Sequence, residues 1–462
     1  MPRVRRHTNS QQSRTDARET LSPQRAPAPG TPIGDEPLVL RNARVVNILD
    51  KTNDDDEDDG DETGNFTIRV SDAVDVIIVD GLVAEILHAH RQSVRLHGSE
   101  WRELDCAGRL VLPGLLDCHV HVTASSSNLR SPGSLPQSLV IARSCGTLRG
   151  MLDRGFTSVR DMGGADHGLA QAVEEGSIVG PRLFFCGKAL SATGGHGDMR
   201  DRGESQLPAC PCCQSTIGRV VDGARDCRRA VRDFVRTGAT HIKFMASGGV
   251  SSPTDRLTSL QFSQEELDSI IDEARLSGTP TAAHAYTPAS ILRAVEAGVT
   301  SIEHGNYASD DCLDAMADRG CFLVPTLVTY WAIVEEGAAD GMPQNLVDKV
   351  GDLVESGIDT LRRAVARRVQ VAYGSDLLGA SHRHQLRGIA LHCRAQMPVD
   401  VLASLTVVPA RLVGMEGKLG CVGEASCADM LVVDDDRVLE DPSLLAGEGV
   451  IKHVIQGGRI IR

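Results

Sequence analysis

The sequence predicts an α/β protein: a closed (β/α)8 (TIM) barrel with a small β-sandwich domain built from both chain ends. Two observations lead to this prediction. Short apolar strand candidates recur through the middle of the chain, and each is followed by a helical pattern. Both ends of the chain are rich in strand-like runs without that alternation. A doubly wound sheet is the alternative, but no Gly-x-Gly-x-x-Gly motif follows the first strand.

Each barrel strand is predicted from a short run of apolar residues. The helix after the fourth strand shows the accompanying pattern. Residues 264–274 place apolar side chains at helical spacing, with Ser263 as N-cap and Glu266 at the capping-box position. The predicted barrel strands are Val111–Leu116, Thr157–Arg160, Leu183–Cys186, His241–Met245, Thr281–His284, Thr300–Glu303, Phe322–Val324 and Val371–Tyr373.

The chain ends predict an arm and the second domain. Residues 1–36 are rich in Pro, Ser, Gln and Arg and hold too few apolar residues to fold, so we predict a disordered arm. Strand-like runs place the β-sandwich domain at 37–108 and 415–462, with an acidic insertion at 54–62. The predicted barrel would then occupy residues 109–414.

The charge of the chain disfavours a nucleic-acid partner. Lys and Arg number 48 against 62 Asp and Glu, which gives a net charge of −14. The run from Asp54 to Glu62 holds eight of the carboxylates, and without it the net charge would be about −6. Nucleic-acid-binding proteins usually show a basic face instead, so no nucleic-acid partner is expected. No apolar stretch approaches about 18 residues, so we expect no membrane contact either.

The cysteines and the N-terminus predict the compartment. The 13 cysteines are an odd number, and the polar, Arg-rich N-terminus has no apolar signal region. We therefore expect no disulfide framework and predict a cytoplasmic, reducing setting. The cluster Cys210–Cys213 has no second cysteine or histidine pair nearby, so we interpret it as an ordinary loop and not as a zinc site.

Polar residues at the predicted strand ends are candidates for chemistry, because catalytic residues of such barrels lie where the strands end. His119 and His121 close the first strand, and side chains two residues apart share a face, so both imidazoles point the same way. Lys243 lies among apolar neighbours in the fourth strand, where an ammonium is costly unless it is paired. It either reaches solvent or a carboxylate, or it is a neutral amine that can take up CO2 as a carbamate.

Three further strand ends carry possible metal ligands. His284 ends the fifth strand, His304 the sixth and Asp376 the eighth. Any one of these residues is commonly just a satisfied core residue, but their recurrence at equivalent positions predicts a metal centre. The predicted metal ligands are His119, His121, Lys243, His284, His304 and Asp376.

This pattern resembles the amidohydrolase superfamily of metal-dependent hydrolases. The segments Met245–Val250, His284–Pro288, Glu303–Asn306 and Asp376–Gln385 resemble its imidazolonepropionase-like branch. That branch includes prolidase-type dipeptidases and ochratoxin-hydrolysing amidases. The resemblance covers about residues 36–462 and leaves no ligand position empty.

The resemblance implies a binuclear centre of two divalent ions, expected to be zinc. His119, His121 and Asp376 would hold one ion, His284 and His304 the other, and a carboxylated Lys243 would bridge them. A shared water of lowered pKa would attack an amide carbonyl. Asp376 would accept its proton and pass it to the leaving nitrogen, which makes it the predicted catalytic base.

Three more residues are candidates for substrate binding, and one of them, His196, is also a predicted catalytic residue. His196 lies in the loop after the third strand, where the family places a histidine on the substrate carbonyl; an incidental histidine in a glycine-rich loop is the alternative. Tyr286 shares the face of His284 and could hold a carboxylate or a transition-state oxygen, or pack in the barrel wall. Arg383, after the eighth strand, could bind a carboxylate or lie in a surface turn.

The resulting hypothesis is a metal-dependent amidohydrolase that cleaves a dipeptide or an N-acyl amino acid with a free carboxylate. It would be of the Xaa-Pro dipeptidase or ochratoxin amidase type, and a homo-oligomer as the family often is. The alternatives are a mononuclear deaminase or cyclic amidase, against which Lys243 argues, and a lactonase or phosphotriesterase. A non-catalytic scaffold is the third, and the intact ligand set argues against it.

Overall fold

The computed structural model describes residues 36–51, 65–88, 101–130, 135–205 and 217–462. The predicted arm up to residue 35, the acidic insertion and the cysteine cluster lie outside these ranges. The strands are β1 (Leu38–Asp50), β2 (Phe66–Val79), β3 (Leu82–His88), β4 (Arg102–Asp105), β5 (Leu110–Pro113), β6 (Leu115–Val120), β7 (Phe156–Asp161), β8 (Arg182–Phe185), β9 (Ala189–Ser191), β10 (Gly218–Val220), β11 (Ile242–Met245), β12 (Thr281–Ala285), β13 (Ser301–His304), β14 (Phe322–Val324), β15 (Met430–Val433), β16 (Ile451–Gln456) and β17 (Arg459–Ile460).

Helices fill most of the connections between the barrel strands. The helix Gln264–Leu276 begins as predicted: Ser263 caps Glu266 N, and the Glu266 carboxylate accepts from Ser263 N. None of the helices in the described ranges has the length and apolar character needed to cross a bilayer. They are α1 (Gln137–Asp153), α2 (His167–Glu174), α3 (Ala224–Arg236), α4 (Gln264–Leu276), α5 (Pro288–Ala297), α6 (Asp310–Arg319), α7 (Leu327–Ala332), α8 (Gln344–Val347), α9 (Leu353–Ala366), α10 (Arg387–His392), α11 (Pro398–Leu405) and α12 (Val407–Leu412).

Strands from both chain ends form one sheet. Its order is β17-β16-β15-β5-β1-β2-β3, and β4 pairs with β1 on the side. Alternate residues such as Leu40, Val76 and Met430 are fully buried in a common apolar cluster, as the period of two of a strand requires. The strand-rich termini therefore do meet in space. Their closure into a β-sandwich and the predicted domain boundaries stay predictions.

The first predicted barrel strand is divided in the structure. β5 pairs with β1 and β15 in the terminal sheet, whereas β6 pairs with β7 and starts the barrel. The division falls at Gly114, where an added Cβ would lie 2.2 Å from Thr157 Oγ1. Only a residue without a side chain lets the backbone pass so close to β7. The prediction of one strand over Val111–Leu116 is wrong because the apolar run crosses from one sheet to the other without a polar break.

The barrel strands are parallel and bring the strand ends to one mouth. β6, β7 and β8 pair in order, as do β11, β12, β13 and β14. The eighth strand is reduced to a bridge between Val371 and Leu323. The cylinder is closed by Cys118 N, which donates to Tyr373 O at 2.7 Å. Residues that follow the parallel strands therefore converge at the same end.

Candidate metal centre

The six predicted ligands line one open cavity of ≈ 540 Å³ at this mouth, together with His196 and Tyr286. The imidazole rings form a continuous series of contacts. His121 and His304 both lie beside His119, with ring centroids 5.4 Å and 5.0 Å away. His284 follows at 4.5 Å from His304, and His196 stacks on His284 at 4.2 Å.

His119, His121 and Asp376 form a group that can hold a cation. Their ligand atoms all lie within 4.8 Å of one another. Asp376 Oδ1 is 3.5 Å from His119 Nε2 and 3.3 Å from His121 Nε2. Burial acts to raise the pKa of Asp376, but His119 and His121 outweigh it and the pKa is lowered, so the carboxylate stays ionised.

The hydrogen bonds of the Nδ1 atoms of His119 and His121 show that their Nε2 atoms are the ones available to bind a metal. His119 Nδ1 donates to Glu303 Oε2 at 2.9 Å and His121 Nδ1 donates to Gly163 O at 2.9 Å. In the neutral rings both Nε2 atoms would carry lone pairs directed at the Asp376 carboxylate. Burial acts to lower the pKa of His121, but Asp376 outweighs it and the pKa is raised, so the site favours a positive charge there, either a proton or a bound cation. Such a cluster of acceptors is stabilised by a cation, so the residues fit a divalent metal.

His284 and His304 are held by different nitrogens. His304 Nδ1 lies 2.7 Å from Thr326 Oγ1, which leaves Nε2 available, as in the first pair. His284 Nε2 instead donates to Gly248 O at 3.0 Å, so its available nitrogen is Nδ1. Burial lowers the pKa of both rings well below the ordinary value, which keeps them neutral as ligands.

Lys243 is buried in the wall of the same cavity. Its side chain is 2% exposed, and Nζ has no hydrogen-bond partner within the part of the chain that the structure describes. Burial lowers the pKa of its amine to about 8. An unpaired buried ammonium is expensive, so the position favours a neutral amine or a modified one.

Glu303 and Arg160 support the site, and the sequence reasoning missed both roles. Glu303 is fully buried in β13, where Oε1 accepts from Arg160 Nη2 at 2.7 Å and Oε2 accepts from His119. Arg160 in turn donates from Nε to Cys118 O at 2.7 Å. The signal was present, because a Glu inside a short apolar strand requires a partner. Its partners, Arg160 and His119, lie on other strands, so the sequence alone could not identify them.

His196 is held over the site by the loop that follows β11. Its Nδ1 lies 2.8 Å from Ser252 Oγ, and Ser252 donates to Asp255. Gly249 passes so close to the ring that an added Cβ would be 2.2 Å from His196 Cε1. Burial lowers the pKa of His196 to about 4, so the ring is neutral at physiological pH.

Tyr286 forms a buried pair with Tyr330, a cavity residue that the sequence reasoning did not single out. Tyr330 OH lies 3.0 Å from Tyr286 OH, 3.0 Å from His304 Nδ1 and 3.1 Å from Asn306 Oδ1. The Tyr286 ring also stacks on His304, with centroids 5.1 Å apart. Both hydroxyls are therefore positioned beside a predicted metal ligand.

Two of the predicted ligands have left-handed backbones. His304 has φ 74° and Asp376 has φ 51°, conformations that residues with a side chain seldom adopt. Strain of this kind persists only where the surrounding structure enforces it, and it concentrates at functional sites. It sets the direction in which the two side chains leave the strand ends.

Arg383 does not line the cavity. It lies in a 3-10 turn over Gly379–His384, and its guanidinium is paired with Glu336 at 2.7 Å. Its side chain is 54% exposed. The structure thus brings together every predicted site residue except Arg383, whose carboxylate-binding role stays a prediction.

Comparison with known proteins places this site in a family. Residues 110–461 match the Amidohydrolase family, and the chain belongs to it. It is similar to ochratoxinase of Aspergillus niger, 30% identical over 376 residues that are 76% of each protein. The crystal structure of a prolidase complexed with N-methylphosphonate-L-proline is 40% identical, with a TM-score of 0.82 over 92% of this chain and 99% of that one. Imidazolonepropionase of Symbiobacterium thermophilum is 25% identical over 389 residues, covering 79% and 84% of the two chains.

These similarities confirm the superfamily and branch predicted from the strand-end residues. The fold is an amidohydrolase barrel, and the chain is a hydrolase of the kind that acts on carbon–nitrogen bonds. His119, His121 and Asp376 can hold a metal ion, as the family generally does.

Proposed function

We propose that this chain is a binuclear metal amidohydrolase that cleaves the amide bond of a dipeptide or an N-acyl amino acid. The observation that carries the proposal is the position of Lys243: a buried amine without a hydrogen-bond partner in the described residues, in a cavity that four predicted histidine ligands and the Asp376 carboxylate also line. His119, His121 and Asp376 would hold one divalent ion, His284 and His304 the other, with zinc expected. Lys243, as its CO2-derived carbamate, would bridge them.

The lowered pKa of Lys243 supports its modification. Only a neutral amine reacts with CO2, and an amine of pKa about 8 is roughly one-tenth neutral at pH 7. An ordinary lysine amine of pKa 10.5 would be about one part in 3,000 neutral. The carbamate oxygens would then occupy a position where the ammonium has no hydrogen-bond partner among the described residues.

The remaining residues divide the chemistry of amide cleavage. Two bound divalent ions would supply Lewis acidity and a water of lowered pKa. Asp376, ionised and beside the paired histidines, would take a proton from the attacking water and return it to the leaving nitrogen. His196 and Tyr286 line the same cavity and are proposed to bind the substrate carbonyl or the oxygen that develops from it.

The relatives support an amide substrate with an amino acid on the leaving side. A prolidase, a Xaa-Pro dipeptidase and ochratoxinase are all among the similar structures. Similarity to imidazolonepropionase favours a second candidate, a mononuclear cyclic amidase. The metal count separates the two, because one ion per chain would favour the second candidate.

The experiment is a hydrolysis screen of a dipeptide and N-acyl amino acid library with and without a chelator, beside elemental analysis. We expect activity that is lost with the chelator and restored by Zn²⁺, and two ions per chain. Lys243→Ala should lose bound metal and reduce turnover by orders of magnitude. Lys452→Ala, which removes a surface lysine paired with Asp434 on the terminal sheet, is the matched control and should change neither. Full turnover in Lys243→Ala would contradict the proposal.

A further inference from the structure

A second cavity lies at the far end of the barrel from the metal centre. It has a volume of ≈ 800 Å³ and shares no lining residue with the first. Its walls come from the end of β1, the start of β2, the residues that lead into the eighth barrel strand, and helices α11 and α12. The terminal sheet and the barrel therefore both contribute to it.

One wall of this cavity carries acceptor oxygens without a donor. Asp400 is 3% exposed; its Oδ1 accepts from Asn65 N at 3.2 Å, but Oδ2 has no partner among the residues that the structure describes. Gln370 Oε1 is likewise buried and unpartnered there. Buried acceptors without a donor are costly, and a carboxylate most of all. Burial raises the pKa of Asp400, although Lys51, which lines the same cavity, acts to lower it.

The cavity also carries an exposed guanidinium that no described carboxylate pairs with. Arg368 lies on the rim, and its guanidinium has no ion pair or hydrogen bond within the described ranges. The neighbouring Arg411 differs, because it pairs with Asp50 and Glu416. The remaining wall is apolar and includes Phe66 and Val408.

We propose that this cavity binds a free α-amino acid with an apolar side chain, a ligand beyond the substrate of the metal centre. Its ammonium group would donate to Asp400 Oδ2 and Gln370 Oε1, because an ammonium offers three donors and no acceptor. Its carboxylate would pair with Arg368, whose fork of N–H donors matches two oxygens. Its side chain would pack on Phe66 and the valines.

The test is calorimetric titration of the metal-loaded full chain with L-leucine. We expect saturable binding that persists in His304→Ala, a change in the metal cavity, and weakens about tenfold or more in Arg368→Gln. Asp400→Asn should weaken binding similarly, and if that variant does not fold, Arg368→Gln decides. Arg362→Gln is the matched control, because that arginine pairs with Asp359 on the outer face of α9.

Two leucine analogues, each lacking one charged group, test whether the cavity recognises both the ammonium and the carboxylate. Isoamylamine lacks the carboxylate and 4-methylpentanoate lacks the ammonium, so each should bind at least tenfold more weakly than leucine. Equal binding of either probe would overturn the proposed pairing. If leucine binding disappears in His304→Ala but is unchanged in Arg368→Gln, the amino acid binds in the metal cavity and the proposed site is wrong. No detectable leucine binding would also overturn the proposal. The amide hydrolysis screen is independent of these results.

Discussion

Replacing Glu303 by glutamine should weaken metal binding through His119. Oε1 of this carboxylate accepts from Arg160 at 2.7 Å and from Ser301 Oγ at 2.6 Å, while Oε2 accepts from His119 Nδ1 at 2.9 Å. Glutamine has nearly the same shape but only one acceptor oxygen. In either orientation its amide nitrogen therefore faces a buried N–H donor.

The size of the effect depends on which donor loses its acceptor. An unpaired Arg160 would cost about 3–5 kcal/mol because its charge is buried, so we expect the amide oxygen to stay with Arg160. The glutamine NH2 group then faces His119 Nδ1. His119 thereby loses the acceptor that fixes the tautomer of its imidazole. Loss of such an outer partner typically costs about 10–100-fold in metal affinity or activity.

The assay is competition for zinc against a chromophoric chelator, at a temperature where circular dichroism shows the variant folded. Glu273→Gln is the matched control: that glutamate is also buried, at 6% exposure, but it pairs with Arg232 between outer helices. The control should lose stability and keep its zinc affinity. A Glu303→Gln protein that binds zinc within about twofold of the parent would refute the link between Glu303 and the metal centre.

Two further substitutions test the cavity walls. Gly249→Ala would place a Cβ 2.2 Å from His196 Cε1 and should lower kcat about tenfold or more by displacing the ring, whereas Gly146→Ala, which meets open space, should not. An unchanged kcat in Gly249→Ala would show that the position of His196 does not matter for the reaction. Arg383→Ala should raise KM less than about threefold, because that guanidinium is exposed and paired away from the cavity. A KM increase above about tenfold at constant kcat would establish the carboxylate contact predicted from the sequence.

The predicted ligands could be recognised in the sequence because they are polar residues in or at the ends of apolar strands. A short apolar strand has no local reason to end in His119 and His121, or to contain Lys243. Repetition of this conflict along the chain identified the family and the side chains that now line one cavity. Local periodicity also predicted the helix after Ser263, whose capping box depends only on residues three apart.

The tertiary structure alone decided which residues support that chemistry. Glu303 and His119 are separated by 184 residues, and no local pattern pairs them. Arg383 and Arg160 are both arginines after or within barrel strands, yet one lies paired at the surface and the other in the barrel core. A sequence states the type and spacing of side chains, whereas the closure of the cylinder determines which of them meet across it, because that depends on strand register and on direction at each strand end.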